Sequence, residues 1–355
     1  MTVRLTIVVP AFNEAHRLPD GMERFAAAVD DGSVDLDVTE VVFIDDGSTD
    51  ATADTARRLL APVPHHRVIS LPANRGKGAA IRTGVALARG SCTAYMDADM
   101  AIDPRAVPLL LDGLGTYDAA IGSRALPDSM VDGTYTVRAA MGRLFNRLVT
   151  TGTGLGLQDT QCGFKAFRTP AARLLFHLVR IDRFAFDVEL LARARRLGLR
   201  VTEVPVQWKN VPGSTIHPLQ DSITMLSDVF RSRLGLLATP PVPAVVVRAR
   251  SARGGDPLPV DRIAAVVDDT LDGAPVPVVP GVSGMPGDAD GTGGRTVTVL
   301  LPLVEPVGVA TVLSALRAEF DTLDVSRRAM GLDALCGLGP LSGRLRPASG
   351  PTGMG

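Results

Sequence analysis

Aromatic residues are sparse in this chain of 355 residues, at 4%, beside a hydrophobic content of 46% that is ample for a core. Cysteine is scarcer still. Cys92, Cys162 and Cys336 form an odd, scattered set without metal-ligand spacing, which suits a reducing cytosol and excludes a disulfide framework. Charge of either sign is not in excess: the formal net charge is -1, so no global basic field points to nucleic acid as a partner. Long apolar runs are missing. The most apolar later stretch, Leu234 to Val247, is broken by Pro240, Pro241 and Pro243 and falls short of the ~20 residues of a spanning helix. No charged leader precedes the strand pattern that begins near Val3, so no signal peptide is expected. A cytoplasmic protein results, soluble or peripheral at the inner face of a membrane. Lysine is the rarest basic residue: of 37 Lys and Arg only Lys77, Lys165 and Lys209 are lysines, and a retained Lys in so Arg-biased a chain hints at chemical need. No period of 20–50 residues repeats, which excludes a solenoid.

What is present is an alternation. Strand patterns at Arg4 to Val9, Glu40 to Ile44, Arg67 to Leu71 and Ser91 to Met96 alternate with helical patterns near Leu18 to Val29, Ala51 to Leu60 and Asn74 to Ala88. A β-α-β-α order of this kind predicts an α/β fold, a mostly parallel sheet with flanking helices. Past Asp99 the order loosens. A helix from Pro104 to Leu114, a strand at Ala119 to Ile121 and a loop from Leu126 to Tyr135 are expected. An amphipathic helix follows at Thr136 to Val149, able to pack on the sheet or lie at a bilayer surface. A strand at Gly163 to Arg168, a helix at Phe186 to Leu197 and a strand at Val201 to Val206 complete a domain of residues 1–235. Beyond it the composition predicts a Pro/Gly-rich linker at 236–295, a small α/β unit at 296–337 and a disordered tail at 338–355.

The chemistry gathers at strand ends. Tyr95-Met96-Asp97-Ala98-Asp99 closes the fourth strand with two carboxylates one residue apart. Strand alternation would aim both at one spot beyond the carboxyl edge, where open α/β sheets bind ligands. Two anions share such a spot cheaply only with a hard divalent cation, and Mg²⁺ typically takes one or two carboxylates plus substrate phosphates. Three further segments end strands on the same edge: Pro10-Ala11-Phe12-Asn13-Glu14, Asp45-Asp46-Gly47-Ser48, and Asn74 to Gly84 with Lys77 as a point charge for phosphate. Each alone has an ordinary reading as a cap or turn. Together they describe a nucleotide-diphosphate site with a metal.

This ordered set, continued through Gly122-Ser123-Arg124, Asp159 to Lys165, Phe186-Asp187-Val188-Glu189, Glu203 to Val206 and Pro212-Gly213-Ser214, resembles glycosyltransferase family 2. It is most similar to the dolichyl-phosphate β-glucosyltransferases, with the dolichol-phosphate mannose synthases as cousins. The resemblance covers about residues 3–235. It implies the GT-A nucleotide-sugar fold and an inverting, metal-dependent transfer of glucose from UDP-glucose to a polyprenyl phosphate. It also implies roles for particular residues. Pro10, Phe12, Glu14, Ile44 and Asp46 would line the nucleoside pocket. Asp97 and Asp99, with Ala98 between them, would hold Mg²⁺ or Mn²⁺. Arg124 and Arg138 would sit near the transferred phosphate groups. Two positions depart from the relatives: Ala101 stands where the mannose synthases have Gln, and Thr215 where both relatives have Lys, a charge that Lys209 or His217 would replace. An N-terminal anchor of the eukaryotic glucosyltransferase has no counterpart here.

An anionic phosphate acceptor needs an arginine clamp more than a base. A soluble or polymeric hydroxyl acceptor, the alternative, would need a carboxylate, and Asp187 or Asp159 would supply it. A nucleotidyltransferase would open with a Gly-rich loop where Pro10 to Glu14 has no glycine. A non-catalytic nucleotide-sugar-binding protein would have no use for the Asp97/Asp99 pair and Lys77.

Overall fold

The computed structural model describes residues 3–132 and 155–211, four later strands at 242–249, 278–280, 296–300 and 323–330, and isolated positions at 266, 312, 314–316 and 318. The first half runs β1 (Leu5–Ala11), α1 (Leu18–Asp30), β2 (Thr39–Asp45), α2 (Thr52–Leu60), β3 (His66–Ser70), α3 (Lys77–Leu87) and β4 (Cys92–Tyr95). A one-turn 3₁₀ helix (Pro104–Ala106) leads to α4 (Val107–Thr116), β5 (Ala119–Ser123) and β6 (Met130–Asp132). After the gap come β7 (Lys165–Arg168), α5 (Thr169–Leu178), α6 (Phe186–Arg196), β8 (Val201–Pro205) and β9 (Gln207–Lys209).

Seven strands form one sheet in the order β3-β2-β1-β4-β7-β5-β8. All neighbours are parallel except β7, which runs antiparallel to both β4 and β5. The mostly parallel sheet expected from the alternation is therefore present. Central strands in such a sheet are covered on both faces and read as unbroken apolar runs, and β1, Leu-Thr-Ile-Val-Val-Pro-Ala, is buried throughout. Its alternation still sorts the core. Val8 packs with Ile44, Ile81, Tyr95, Phe176 and Phe186 under α3, α5 and α6. Ile7 and Val9 pack with Leu18, Phe25, Phe43 and Leu110 under α1 and α4.

Register places the site. Leu5 to Ala11 pair with Thr39 to Asp45, and Leu5 to Val8 with Cys92 to Tyr95. The carboxyl ends of β1, β2 and β4 thus open on one edge, where their loops meet. A separate parallel ribbon joins β6 to β9, so the expected loop at Leu126 to Tyr135 contains a short strand. Ile102 bridges Trp208 from the other side.

Beyond residue 235 four further strands are described. β10 (Val242–Ala249), β11 (Val278–Pro280), β12 (Thr296–Leu300) and β13 (Leu323–Met330) form a four-stranded antiparallel sheet in the order β11-β12-β10-β13. β10, read as part of the linker, pairs over its whole length with β13 and with β12. Its valine run, Val245 to Val247, carries the strand preference that the surrounding Pro and Gly composition concealed. The amphipathic stretch at 136–149, Arg138, the Gly213-Ser214-Thr215 loop with His217, and the tail at 338–355 lie outside the described residues.

Candidate active site

Three loops at the sheet edge are laced together by side-chain caps. Asn13, at φ 55, donates its N–H to Ser48 Oγ at 2.9 Å and accepts from Thr49 N at 2.9 Å through Oδ1. Glu14 N donates to Thr52 Oγ1 at 2.7 Å. Buried Asp46 reaches across to the third loop and accepts from Arg75 N at 3.0 Å and Gly76 N at 2.7 Å. Burial pushes its carboxyl above the usual range against those two N–H donors. Gly76 has φ 109, and a Cβ there would lie 2.5 Å from the Asp182 carbonyl, so this turn accepts only glycine. Lys77 is thereby fixed at the first position of α3.

The carboxylate pair sits where β4 has already ended. The strand stops at Tyr95, and Ala98 and Asp99 form a turn with Met100 at φ 44. Asp97 and Asp99 are therefore brought together by this turn and not by strand alternation, a correction to the sequence expectation. Each meets a cation: Lys77 Nζ lies 2.5 Å from Asp97 Oδ1, and Arg17 Nη1 lies 2.7 Å from Asp99 Oδ2. Arg17 also pairs with Glu14. Arg24 donates to the carbonyls of Asp99 and Met100 at 3.0 and 3.2 Å, pinning the turn onto α1.

The electrostatics follow. Burial first, then the Asp97 charge, raises the Asp99 pKa. Burial raises Glu14 to about 7 despite Arg17, with Asp99 and Asp97 adding to the rise. Burial opposes the charge on Lys77, but Asp97, Asp187 and Asp99 outweigh it and raise its pKa. Glu14 Oε2 is a buried acceptor without a hydrogen-bond partner among the described residues. Hard oxygen donors under mutual repulsion, with an unsatisfied acceptor nearby, fit a hard divalent cation at Asp97 and Asp99.

Under this turn lies a network that the sequence did not disclose. Lys165, wholly buried, donates from Nζ to Cys162 O and to Asp187 Oδ1, both at 2.6 Å. Tyr95 Oη donates to the same Asp187 oxygen at 2.5 Å. Gly163 lies so close to Asp97 that a Cβ would overlap its carboxylate. Beside it, Arg124 clamps Asp159 in a bidentate pair, Nε to Oδ2 at 2.7 Å and Nη2 to Oδ1 at 3.0 Å. Arg124 holds the Asp159 pKa down against the burial that would raise it. Asp159 N in turn donates to Glu203 Oε1 at 2.9 Å.

Of the residues expected at the nucleoside pocket, Pro10 and Asp46 are buried at the edge, Phe12 is 38% exposed and Glu14 joins the acidic centre. Ile44 does not reach the site through its side chain, which is wholly buried among Val8, Ile81 and Tyr95 in the core. Asp187 is 4% exposed, and its Oδ1 accepts from both Lys165 and Tyr95. Arg17, Arg24, Tyr95 and Lys165 are the residues that sequence reasoning missed. Only Lys165 carried a signal, as one of three lysines.

Residues 6–176 match the family model described as glycosyl transferase family 2. A dolichyl-phosphate beta-glucosyltransferase of Dictyostelium discoideum is 36% identical over 246 residues, which span 66% of this chain and 75% of the relative. The chain belongs to glycosyltransferase family 2. A Homo sapiens dolichyl-phosphate beta-glucosyltransferase is 35% identical over 249 residues, spanning 66% of this chain and 76% of the relative. Among solved structures, glucosyl-3-phosphoglycerate synthase from Mycobacterium tuberculosis in complex with Mn²⁺ and uridine-diphosphate-glucose is 23% identical with a TM-score of 0.48, covering 66% of this chain and 79% of the other. As a family 2 member with a mostly parallel sheet and flanking helices, the chain is a glycosyltransferase of GT-A architecture. Among the described residues no helix is long and apolar enough to cross a membrane.

Proposed function

We propose that this glycosyltransferase moves glucose from UDP-glucose to a polyprenyl phosphate at a membrane surface, with Mg²⁺ or Mn²⁺ held by Asp97 and Asp99. The observation that carries the reading is the turn after β4. It sets two carboxylates and two cations, Lys77 and Arg17, beside the Asp46-clamped loop. The dolichyl-phosphate beta-glucosyltransferases named above support the acceptor class.

The chemistry is a displacement at the anomeric carbon. A phosphate oxygen of the acceptor forms the new bond to C1 as the bond from C1 to the UDP oxygen breaks, giving a β-linked product from an α-linked donor. A bound divalent ion supplies charge neutralisation to the departing diphosphate. Lys77 adds to it. Its ammonium sits on the turn beside Asp97, and two unit charges at ~4 Å interact by roughly 4 kcal/mol at an effective dielectric near 20. Arg17 and Arg24 hold the turn in shape. Arg124, locked on Asp159, presents a fixed guanidinium for the acceptor phosphate, and Arg138 is assigned the same duty.

The acceptor is already anionic, so no proton is removed. That agrees with the engagement of both carboxylates a hydroxyl acceptor would require, Asp187 and Asp159. The test is transfer of radiolabelled glucose from UDP-glucose into an organic-extractable lipid in the presence of polyprenyl phosphate and Mn²⁺. Chelation abolishes it. Label appearing only in water-soluble sugars or polymers overturns the reading.

A further inference from the structure

Tyr95 closes β4 and Lys165 opens β7, and the antiparallel register of the two strands sets them opposite each other. Directly opposite residues project from the same face of a sheet. Here both reach across to Asp187, in the first turn of α6. One carboxylate oxygen, Oδ1, accepts from Lys165 Nζ at 2.6 Å and from Tyr95 Oη at 2.5 Å, while the ammonium lies 5.7 Å from the centroid of the Tyr95 ring. Three elements thus meet on a single atom where β4 ends, two residues short of Asp97.

The surroundings are apolar. Phe167 and Phe186 set their rings beside Tyr95, Phe176 meets it edge-on, and Lys165 is wholly buried. A buried ion pair contributes little to stability, since the cost of burying the charges offsets their attraction and apolar residues of similar size often serve as well. This pair also fixes a position. Lys165 Nζ donates to the carbonyl of Cys162 at 2.6 Å, and the next residue, Gly163, lies against the Asp97 carboxylate with no room for a Cβ. The main chain that Lys165 holds is therefore the surface on which Asp97 rests. The Asp99 end of the turn has separate anchors. Arg24 holds the carbonyls of Asp99 and Met100, and at β9 Lys209 N donates to Ala101 O at 2.7 Å and Asp103 N to Gln207 O at 3.0 Å. The charge of Asp187 also acts on Lys77, second among the carboxylates to that of Asp97.

We infer that Lys165 is a positioning residue for the cation site: anchored on Asp187 and Tyr95, it fixes the Cys162–Gly163 main chain and thereby the place of Asp97 beside Asp99. This rests on the reading of Asp97 and Asp99 as ligands of a divalent ion. Wholly buried, Lys165 itself touches neither donor nor acceptor. Its effect is read in the affinity for the ion and not in the binding of the nucleotide.

The experiment titrates Mn²⁺ into the full chain with UDP present and reads free Mn²⁺ by electron paramagnetic resonance. Lys165→Met alone would strand Asp187 as a buried charge. The test variant therefore combines Lys165→Met with Asp187→Asn, which removes both charges and leaves the net charge unaltered. Its Mn²⁺ Kd is expected to rise about tenfold or more, while the rise in melting temperature given by UDP in chelator stays within about 1 °C of wild type. Tyr95→Phe, which removes one hydroxyl from the network, raises the Kd about threefold. Leu60→Ala opens a cavity in the core at the end of α2; it lowers the melting temperature and leaves the Kd unchanged, which separates positioning from general loss of stability. A Kd within about twofold of wild type in the double variant overturns the assignment; if that variant does not fold, the same result in Tyr95→Phe overturns it. A Kd that rises in Leu60→Ala in step with the lost stability also overturns it. A wild-type chain that binds no Mn²⁺ with UDP overturns the metal reading and this inference together.

Discussion

Lys77 and Arg17 bring positive charge to the two carboxylates of the turn. Each neutralises one carboxylate of the turn, so the site is folded and balanced in advance of its ligands. Replacing the ammonium, Lys77→Met, leaves Asp97 beside Asp99 without its partner and the diphosphate without a point charge. A fall in kcat of roughly 100-fold is expected in steady-state assays. Glu14 gives a second prediction with a definite sign. Its folded pKa, about 7, lies above its ordinary value of 4.5. Its contribution to stability is thus full below that ordinary value and is lost as pH rises through 7. In metal-free protein, Glu14→Gln flattens this decline, which amounts to about 3 kcal/mol at most, and melts recorded from pH 4 to 8 check it. At this scale the carboxylate pair was legible only through its company, because Asp-x-Asp alone reads equally well as an acidic turn and the neighbouring strand-end segments singled it out. Arg17 was not: one arginine among many carries no mark, and only the folded loop shows it bridging Glu14 and Asp99. Of the three lysines, the two whose side chains meet carboxylates carried a mark. Lys77 pairs with Asp97, Lys165 with Asp187, and Lys209 binds the Ala101 carbonyl through its main chain.

Elements fix these residues by close approach. Gly21 of α1 lies against the Ala98 carbonyl, and Gly163, just before β7, lies against the Asp97 carboxylate, so the turn is held between two surfaces that admit no side chain. Gly163→Ala displaces Asp97. The Mn²⁺-dependent part of the UDP-induced thermal shift is expected to shrink by more than half, while the shift given by UDP with chelator persists. Strand existence was readable from apolar runs, since β1 and β2 are buried along their length and β4 from Thr93 onward. The end of β4 was not. Alternation seemed to explain the carboxylate pair, but the chain leaves extended geometry after Tyr95, and a turn with Met100 at positive φ does the work instead. Which residues a turn brings together depends on partners far off in sequence, here Arg24 and the Lys165 network. Local pattern holds no record of them.

Taken as a whole, the molecule keeps its donor machinery within the first sheet. Every residue named at the turn and its support lies between Pro10 and Lys209. A chain ending at residue 236 is therefore expected to retain the UDP-induced thermal shift, measured against the full chain at equal Mn²⁺. The alternation of the first half was legible because each strand and helix is fixed by its own periodicity. The four-stranded sheet was hidden, because β10 and β13 are joined across about eighty residues and neither announces its partner. The two main-chain bonds between β9 and the segment after Asp99 have a consequence at this largest scale. A ligand that orders the ribbon is expected to order the segment after Asp99 as well, and the converse holds with equal strength, because thermodynamic coupling runs both ways. Whatever binds at one end of this seam then alters binding at the other by the same factor, a reciprocity that paired titrations in either order would read directly.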